Sequence, residues 1–322
     1  MISEEIDFTV EKFHVFGTLV KPEHPELCPV VVFVHWAGPT NRDCYGLYLP
    51  IWERFVEQGY ACMSWDKPGT GESKGEYDRV HLFQERAKVV EEAIRFLKKR
   101  SDIDPESIGL WGISQAGWIM PMVAAGSKDV SFIIAVSCAG ESGVRQGAYL
   151  IRRHLLFEGL AEEEAKRYGE LYIKRNHAGT YEEYLKYAEP FNEQQYIREV
   201  LKWGEVKSPE DFAPYPPDYC QFIDPVPYLE KVTCPLLAIW GEKDSSIDVD
   251  QAVEAYRGAL TKGGNDDFQL VVFPETSHTM TRAKTGSMKQ WGESKERVPE
   301  FLDTMEKWLM NRPRAKSTLT RT

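Results

Sequence analysis

Runs of β-branched and apolar residues alternate along this chain with segments whose apolar side chains recur every three or four positions. Pro29 to His35 holds Val30, Val31, Val32, Phe33 and Val34 without a break, the signature of a strand buried on both faces. Tyr60–Trp65, Ser107–Trp111, Ser131–Cys138, Cys234–Trp240 and Phe268–Phe273 repeat that pattern. Helical spacing predicts helices over Leu49–Gln58, Val80–Lys99, Gln115–Ala125, Val249–Leu260 and Arg297–Met310. In the second of these Phe83, Ala87, Val90, Ile94 and Leu97 share one face. Pro121 falls inside the third and predicts a kink. Residues 7–21 alternate loosely around Phe8, Val10, Phe13 and Val15, as in an edge hairpin. Strands alternating with helices predict an α/β fold, a mostly parallel sheet with helices on both faces.

The alternation stops near Gly140 and resumes at Cys234. Between them the spacing predicts helices near 145–158, 161–176, 180–188 and 191–203, followed by a stretch dense in proline and aromatics, Pro209 to Pro227. The chain therefore divides into residues 1–139, the first part of an α/β core; 140–228, a helical cap or lid inserted into it; 229–311, the rest of the core; and 312–322, a basic tail expected to be disordered. The aromatics Tyr149, Phe157, Tyr168, Tyr172, Tyr184, Tyr187, Phe191, Tyr196 and Trp203 are expected to form mainly the insertion's own core, with a few facing the site.

Charge and composition narrow the partners. The 322 residues carry 50 acidic and 39 basic side chains, a net charge of −11, which argues against nucleic acid and anionic membranes. No apolar run approaches the roughly 18 residues that span a bilayer. The N-terminus, Met1 to Asp7, is acidic and polar, unlike a secretory signal. The six cysteines lie far apart, not in the close pairs of zinc sites. A cytoplasmic protein with reduced thiols and neither metal nor organic cofactor is expected.

The chemistry centres on Ile108-Gly109-Leu110-Trp111-Gly112-Ile113-Ser114-Gln115-Ala116-Gly117-Trp118. A serine stands between a strand and a helix, with Gly112 two residues before it and Ala116 two after. This is the layout of a nucleophile elbow, whose turn strains the serine and demands small neighbours. A lone serine is a poor nucleophile and needs a base and a group to orient that base. His278 follows the strand ending at Phe273, where an open parallel sheet places its site. Asp244, Asp248 and Asp250 all lie after the strand ending at Trp240. Asp244 is preferred, because it stands nearest the strand end. An oxyanion hole needs two fixed donors: the backbone N–H of Gln115, and that of Ala37 in the loop His35-Trp36-Ala37-Gly38-Pro39. His35 is expected to tie down that loop rather than to react. Asp66 is expected to organise the following glycine-rich turn, Gly69 to Gly75, which lacks the Gly-Lys-Ser/Thr ending of a phosphate loop. Trp36 and Trp118 are expected to wall the substrate pocket.

With these pieces in hand, residues 8–311 resemble the α/β-hydrolase superfamily, and within it the esterase and dienelactone-hydrolase-like branch. The resemblance rests on Val34-His35-Trp36-Ala37-Gly38-Pro39 with Arg42-Asp43, Asp66-Lys67-Pro68-Gly69-Thr70-Gly71-Glu72-Ser73, Ile103 to Gly109 leading into the elbow, Gly241-Glu242-Lys243-Asp244 and Ser277-His278, in that order. Trp36 and Ala116 stand where the family usually has glycine. The resemblance implies Ser114 as nucleophile, His278 as base, Asp244 as acid, and Gln115 and Ala37 as oxyanion donors. It implies a serine hydrolase of carboxylic esters or lactones whose partner is a small molecule. The many tyrosines of the lid, apolar bodies with polar tips, and Trp36 as a wall below predict a bulky or macrocyclic substrate. Two other readings stay open: a prolyl-oligopeptidase-like peptidase or amidase, and a non-catalytic ligand binder.

Overall fold

The computed structural model describes residues 1–23, 27–195, 197, 207–287 and 296–312. Strands β1 (Ile2–Val10) and β2 (Phe13–Lys21) form an antiparallel hairpin at one sheet edge. Then come β3 (Cys28–Val34), α1 (Leu49–Glu57), β4 (Ala61–Trp65), α2 (Leu82–Lys98), β5 (Ile103–Ile113), α3 (Ala116–Gly126) and β6 (Phe132–Val136). Helices α4 (Gly143–Phe157), α5 (Glu162–Asn176) and α6 (Tyr181–Ala188) follow, then the short α7 (Val226–Leu229), β7 (Leu236–Gly241), α8 (Val249–Lys262), β8 (Phe268–Phe273) and α9 (Pro299–Met310). The eight strands lie in the order β1-β2-β4-β3-β5-β6-β7-β8. Every pairing from β4 to β8 is parallel.

Residues of β3 divide between two cores. Val30, Val32 and Val34 pack with Phe83 and Val90 of α2 and Ile119 of α3. Val31 and Phe33 point the other way, to Trp52 and Phe55 of α1 and Trp308 of α9. An unbroken apolar run is the sequence that such a two-faced burial requires. α4 and α5 carry a small core of their own around Ile151, Leu155, Ala165, Tyr168 and Phe191.

Three elements differ from the apolar pattern. β1 begins at Ile2, ahead of residue 7, because its outer face is polar: Glu4 meets Lys21 and Arg100 there. β5 begins at Ile103, ahead of Ser107, because Ile103 pairs with Cys28 through the backbone, beyond a register shift in β3. α3, Ala116–Gly126 with Pro121 inside it, lies where the helical spacing places it. The helix expected near 191–203 opens as a 3-10 turn, Glu189–Glu193; most of the rest of it, with Tyr196 and Trp203, lies outside the described residues, as does the tail after residue 312. Among the described residues no helix is long and apolar enough to cross a membrane.

β3 lies between β4 and β5, so the chain steps from one side of β3 to the other as it passes from β4 through α2 to β5. Such a switch point opens a crevice outside the carboxyl ends of the strands. The loop after β3, the turn after β5 and the loops after β6, β7 and β8 all meet on that edge.

Candidate functional site

Ser114 follows the last residue of β5 and adopts φ 58°, a left-handed conformation that strains any residue with a Cβ. Its N–H donates to the Val136 carbonyl of β6 at 2.9 Å, and its carbonyl receives the Gly117 N–H at 2.9 Å. The sharp turn leaves no room beside it. A Cβ on Gly112 would sit 2.5 Å from the Ala116 Cβ, and one on Gly117 would sit 2.6 Å from the Cys138 Cβ. Gln115 caps α3, so its N–H opens a helix whose dipole favours negative charge there.

His278 stands in the loop after β8. Its Nδ1 is 2.7 Å from Asp244 Oδ2, and both residues are buried. Asp244 Oδ1 accepts the backbone N–H groups of Ser246 at 2.8 Å and Ile247 at 3.0 Å. A carboxylate that already accepts two backbone donors offers only an acceptor to the ring, so Nδ1 carries the hydrogen between them. The two rival carboxylates are elsewhere: Asp248 caps α8, taking the Gln251 N–H at 3.2 Å, and Asp250 is exposed in its first turn.

Ser114, Gln115, Ala37 and His278 line one cavity of about 450 Å³, walled by Trp36 and Trp118. Trp118 stacks on Phe83, with 5.2 Å between ring centroids, and its Nε1 donates to the Glu141 carbonyl at 3.1 Å. His35 lies behind the loop. Its Nε2 donates to the Trp65 carbonyl at 2.6 Å and its Nδ1 accepts the Tyr48 hydroxyl at 2.8 Å. Burial pushes this imidazole down to about 3, so it stays neutral and structural, as expected. Asp66 takes the N–H groups of Arg42 at 2.8 Å and Glu72 at 3.1 Å, and so organises the glycine-rich turn. Among the described residues no group of three His, Cys, Asp or Glu is placed to hold a metal ion.

Three side chains at the site escaped the reading of the sequence. Lys67 Nζ donates to the carbonyls of Trp36 at 3.1 Å and Gly38 at 2.6 Å. Burial, with the Arg86 guanidinium close by, pushes its ammonium down to about 6. Arg86 itself is buried and bonds the His35 carbonyl and the Gln115 side chain. The hydroxyl of Ser137, at φ 48°, donates to the His278 carbonyl at 2.8 Å. A lysine in a turn and a serine at a strand end carry no sequence signal of burial. Arg86 carries one: it falls three residues after Phe83, on the apolar stripe of α2.

Of the insertion's aromatics, Tyr168, Tyr184 and Phe191 are buried in its own clusters. Tyr172 reaches the cavity that holds Ser114.

A family model described as X-Pro dipeptidyl-peptidase (S15 family) matches residues 17–279. Among curated proteins, the chain is 27% identical over 131 residues to a quorum-quenching protein, AidA, of Acinetobacter baumannii, a match covering 41% of this chain and 42% of that one. It is 32% identical over 145 residues to the thiohydrolase AneE of Aspergillus aculeatus, covering 44% of this chain and 43% of that one. Both matches thus span less than half of the relative. An esterase of Pyrococcus furiosus superposes with a TM-score of 0.60 at 16% identity, over 96% of this chain and 90% of that one. At that identity the likeness concerns the fold, the α/β-hydrolase fold.

Proposed function

Since the chain belongs to the S15 family of X-Pro dipeptidyl-peptidases, serine-type hydrolases of α/β fold, we propose that it cleaves carboxylic esters or lactones through Ser114, His278 and Asp244. The observation that carries this reading is the strained elbow serine sharing one cavity with a buried, hydrogen-bonded His278–Asp244 pair. Ser114 Oγ attacks the acyl carbon while His278 Nε2 takes its proton. The carbonyl oxygen turns negative and meets the N–H groups of Gln115 and Ala37. His278 returns the proton to the leaving oxygen, and water, activated by the same ring, cleaves the acyl-enzyme. Asp244 holds the ring in its tautomer and steadies the imidazolium. The inserted helices act as a lid that excludes water and shapes the pocket. The six cysteines are free thiols, which suits a cytoplasmic location.

The family's own name raises a second reading, release of a dipeptide from a peptide's free amino terminus. Such an enzyme must hold an ammonium about 7 Å from the scissile carbonyl, the reach of two residues. Among the described residues lining the cavity there is no Asp or Glu, while Trp36, Phe83, Trp118, Leu150 and Ile247 make its walls apolar. An unpaired ammonium is costly there; an acyl chain or lactone ring is not. Initial rates over a panel of acetyl esters, bulky esters, macrocyclic lactones, thioesters and X-Pro anilides test the choice. Esters or lactones, the bulky ones foremost, are expected to give the highest kcat/KM. A preference for the X-Pro anilides would overturn it.

Lys67 acts on this chemistry through Ala37. In a trans peptide the C=O and the next N–H point in opposite directions. Lys67 fixes the Trp36 carbonyl from behind, so the Ala37 N–H is aimed away from the lysine. Removing one oxyanion donor costs roughly 10²- to 10³-fold in kcat. Lys67→Met, which frees the loop, is expected to lower kcat about tenfold or more with little change in KM, and Lys67→Arg to restore part of it. Equal losses of kcat in both variants, or a change confined to KM, would show that Lys67 does not position the donor.

A further inference from the structure

A second cavity, of about 780 Å³, opens beside the first. Tyr172 and Gln221 line both cavities and so form the partition between them. Each leans on a glycine of α4. A Cβ on Gly147 would lie 2.6 Å from Tyr172 Cε1, and one on Gly143 would lie 2.2 Å from Gln221 Oε1. Gly143 and Gly147 are four residues apart, on one face of the helix, and that face borders the inner cavity. The partition therefore belongs to the construction of the site and is no accident of the surface.

The two chambers differ in chemistry. Apart from His278, the inner one has no ionisable side chain but Tyr172 among its described lining residues. Among its described lining residues the outer one has three cations, Arg79, Arg175 and Lys207, and one carboxylate, Asp211, whose Oδ2 accepts the Ser208 hydroxyl at 2.8 Å. Its walls are aromatic. Tyr215 and Tyr219 stack at 4.0 Å between centroids, Lys207 lies 5.1 Å from the Tyr215 ring centre, and Arg175 lies 5.1 Å from that of Tyr172. Among the described lining residues this is an excess of positive charge in a chain of net charge −11, and a concave one, where the field is focused.

We propose that the outer chamber is an anion subsite: the substrate is an ester or thioester carrying a carboxylate or phosphate remote from the acyl carbonyl, which enters the outer chamber while the apolar reacting end fills the inner one. The proposal rests on the hydrolase reading for its reaction and on the outer chamber's own residues for its ligand. Guanidinium and ammonium groups bind carboxylate or phosphate through charge-assisted hydrogen bonds, and the tyrosine faces cover an aromatic or alkyl linker.

The test has two arms. In the first, kcat/KM is measured for esters of one acyl group and linker that end in a carboxylate, a phosphate monoester or a neutral amide. The parent is expected to prefer the anionic members about tenfold or more at low salt, with the preference shrinking as ionic strength rises. In Arg79→Ala/Lys207→Ala that preference is expected to fall about tenfold. Gly147→Ala, which moves Tyr172, is expected to shift the preference through the partition. In the second arm, calorimetry follows phenyl phosphate and benzoate binding to the parent and to the double variant. This arm needs no turnover, so it survives failure of the hydrolase reading. Binding that the double variant weakens at least tenfold supports the subsite even in a protein that cleaves no ester. An anionic preference of unity in the parent, or anion binding unchanged in the double variant, overturns it. The stronger ligand, phosphate or carboxylate, identifies the group recognised.

Discussion

Ser114→Ala is expected to reduce kcat by about 10³-fold or more on whichever ester the parent turns over best. The fold should survive, since the half-buried hydroxyl contributes little packing and alanine keeps the same Cβ. The strain at φ 58° gives the same position a second, independent readout. Ser114→Gly has no Cβ to strain, so it should be about 1 kcal/mol more stable to denaturant than Ser114→Ala, and equally inactive. Activity within tenfold of the parent in either variant would remove Ser114 as the nucleophile. Equal stability of the two would remove the strain from the account of the elbow.

His278→Ala and Asp244→Asn are each expected to be severe, and the double variant little worse than His278→Ala alone. Members of such a set act as one unit, so their losses do not add. Asp244 is the sharper test, because two other aspartates, Asp248 and Asp250, follow it closely. Asp244 faces the ring at 2.7 Å, while Asp248 takes the Gln251 N–H and starts α8. Asp248→Asn keeps a side-chain oxygen that caps α8, and Asp250 is exposed, so both substitutions should leave the rate unchanged and cost little stability. Crippled turnover in Asp248→Asn or Asp250→Asn, with Asp244→Asn mild, would mean that the ring is oriented by a different acid.

Much of this site could be read from the chain because its parts are local. A strand, a tiny residue, a serine and a helix within eleven positions describe the elbow, and Gly112 and Ala116 pack against each other as that spacing demands. The order of buried strands gave the parallel sheet, and closeness to a strand end singled out Asp244 and His278, which the fold brings to 2.7 Å of each other. Other features are set by long-range pairing, which periodicity cannot report. The starts of β1 and β5 are polar segments held by backbone partners, so hydropathy missed them. Lys67, Arg86 and Ser137 act on carbonyls of residues distant in sequence, and a carbonyl has no residue type to recognise. Arg86 alone left a trace, a charge on an apolar stripe. The two chambers and the glycines of α4 that seat their partition depend on how α4 meets α5 and the loop at Gln221. The tyrosines of the insertion hinted at a large polar-tipped surface. Which of them face the site was decided only by packing.

The central claim is that Ser114 forms a covalent acyl-enzyme in concert with His278, and intact mass measurement after exposure to a fluorophosphonate tests it most directly. The account predicts one adduct per chain on the parent, located at Ser114 by peptide mapping, slowed by orders of magnitude in His278→Ala and absent from Ser114→Ala. An unmodified parent, or an adduct that persists in Ser114→Ala, would contradict it.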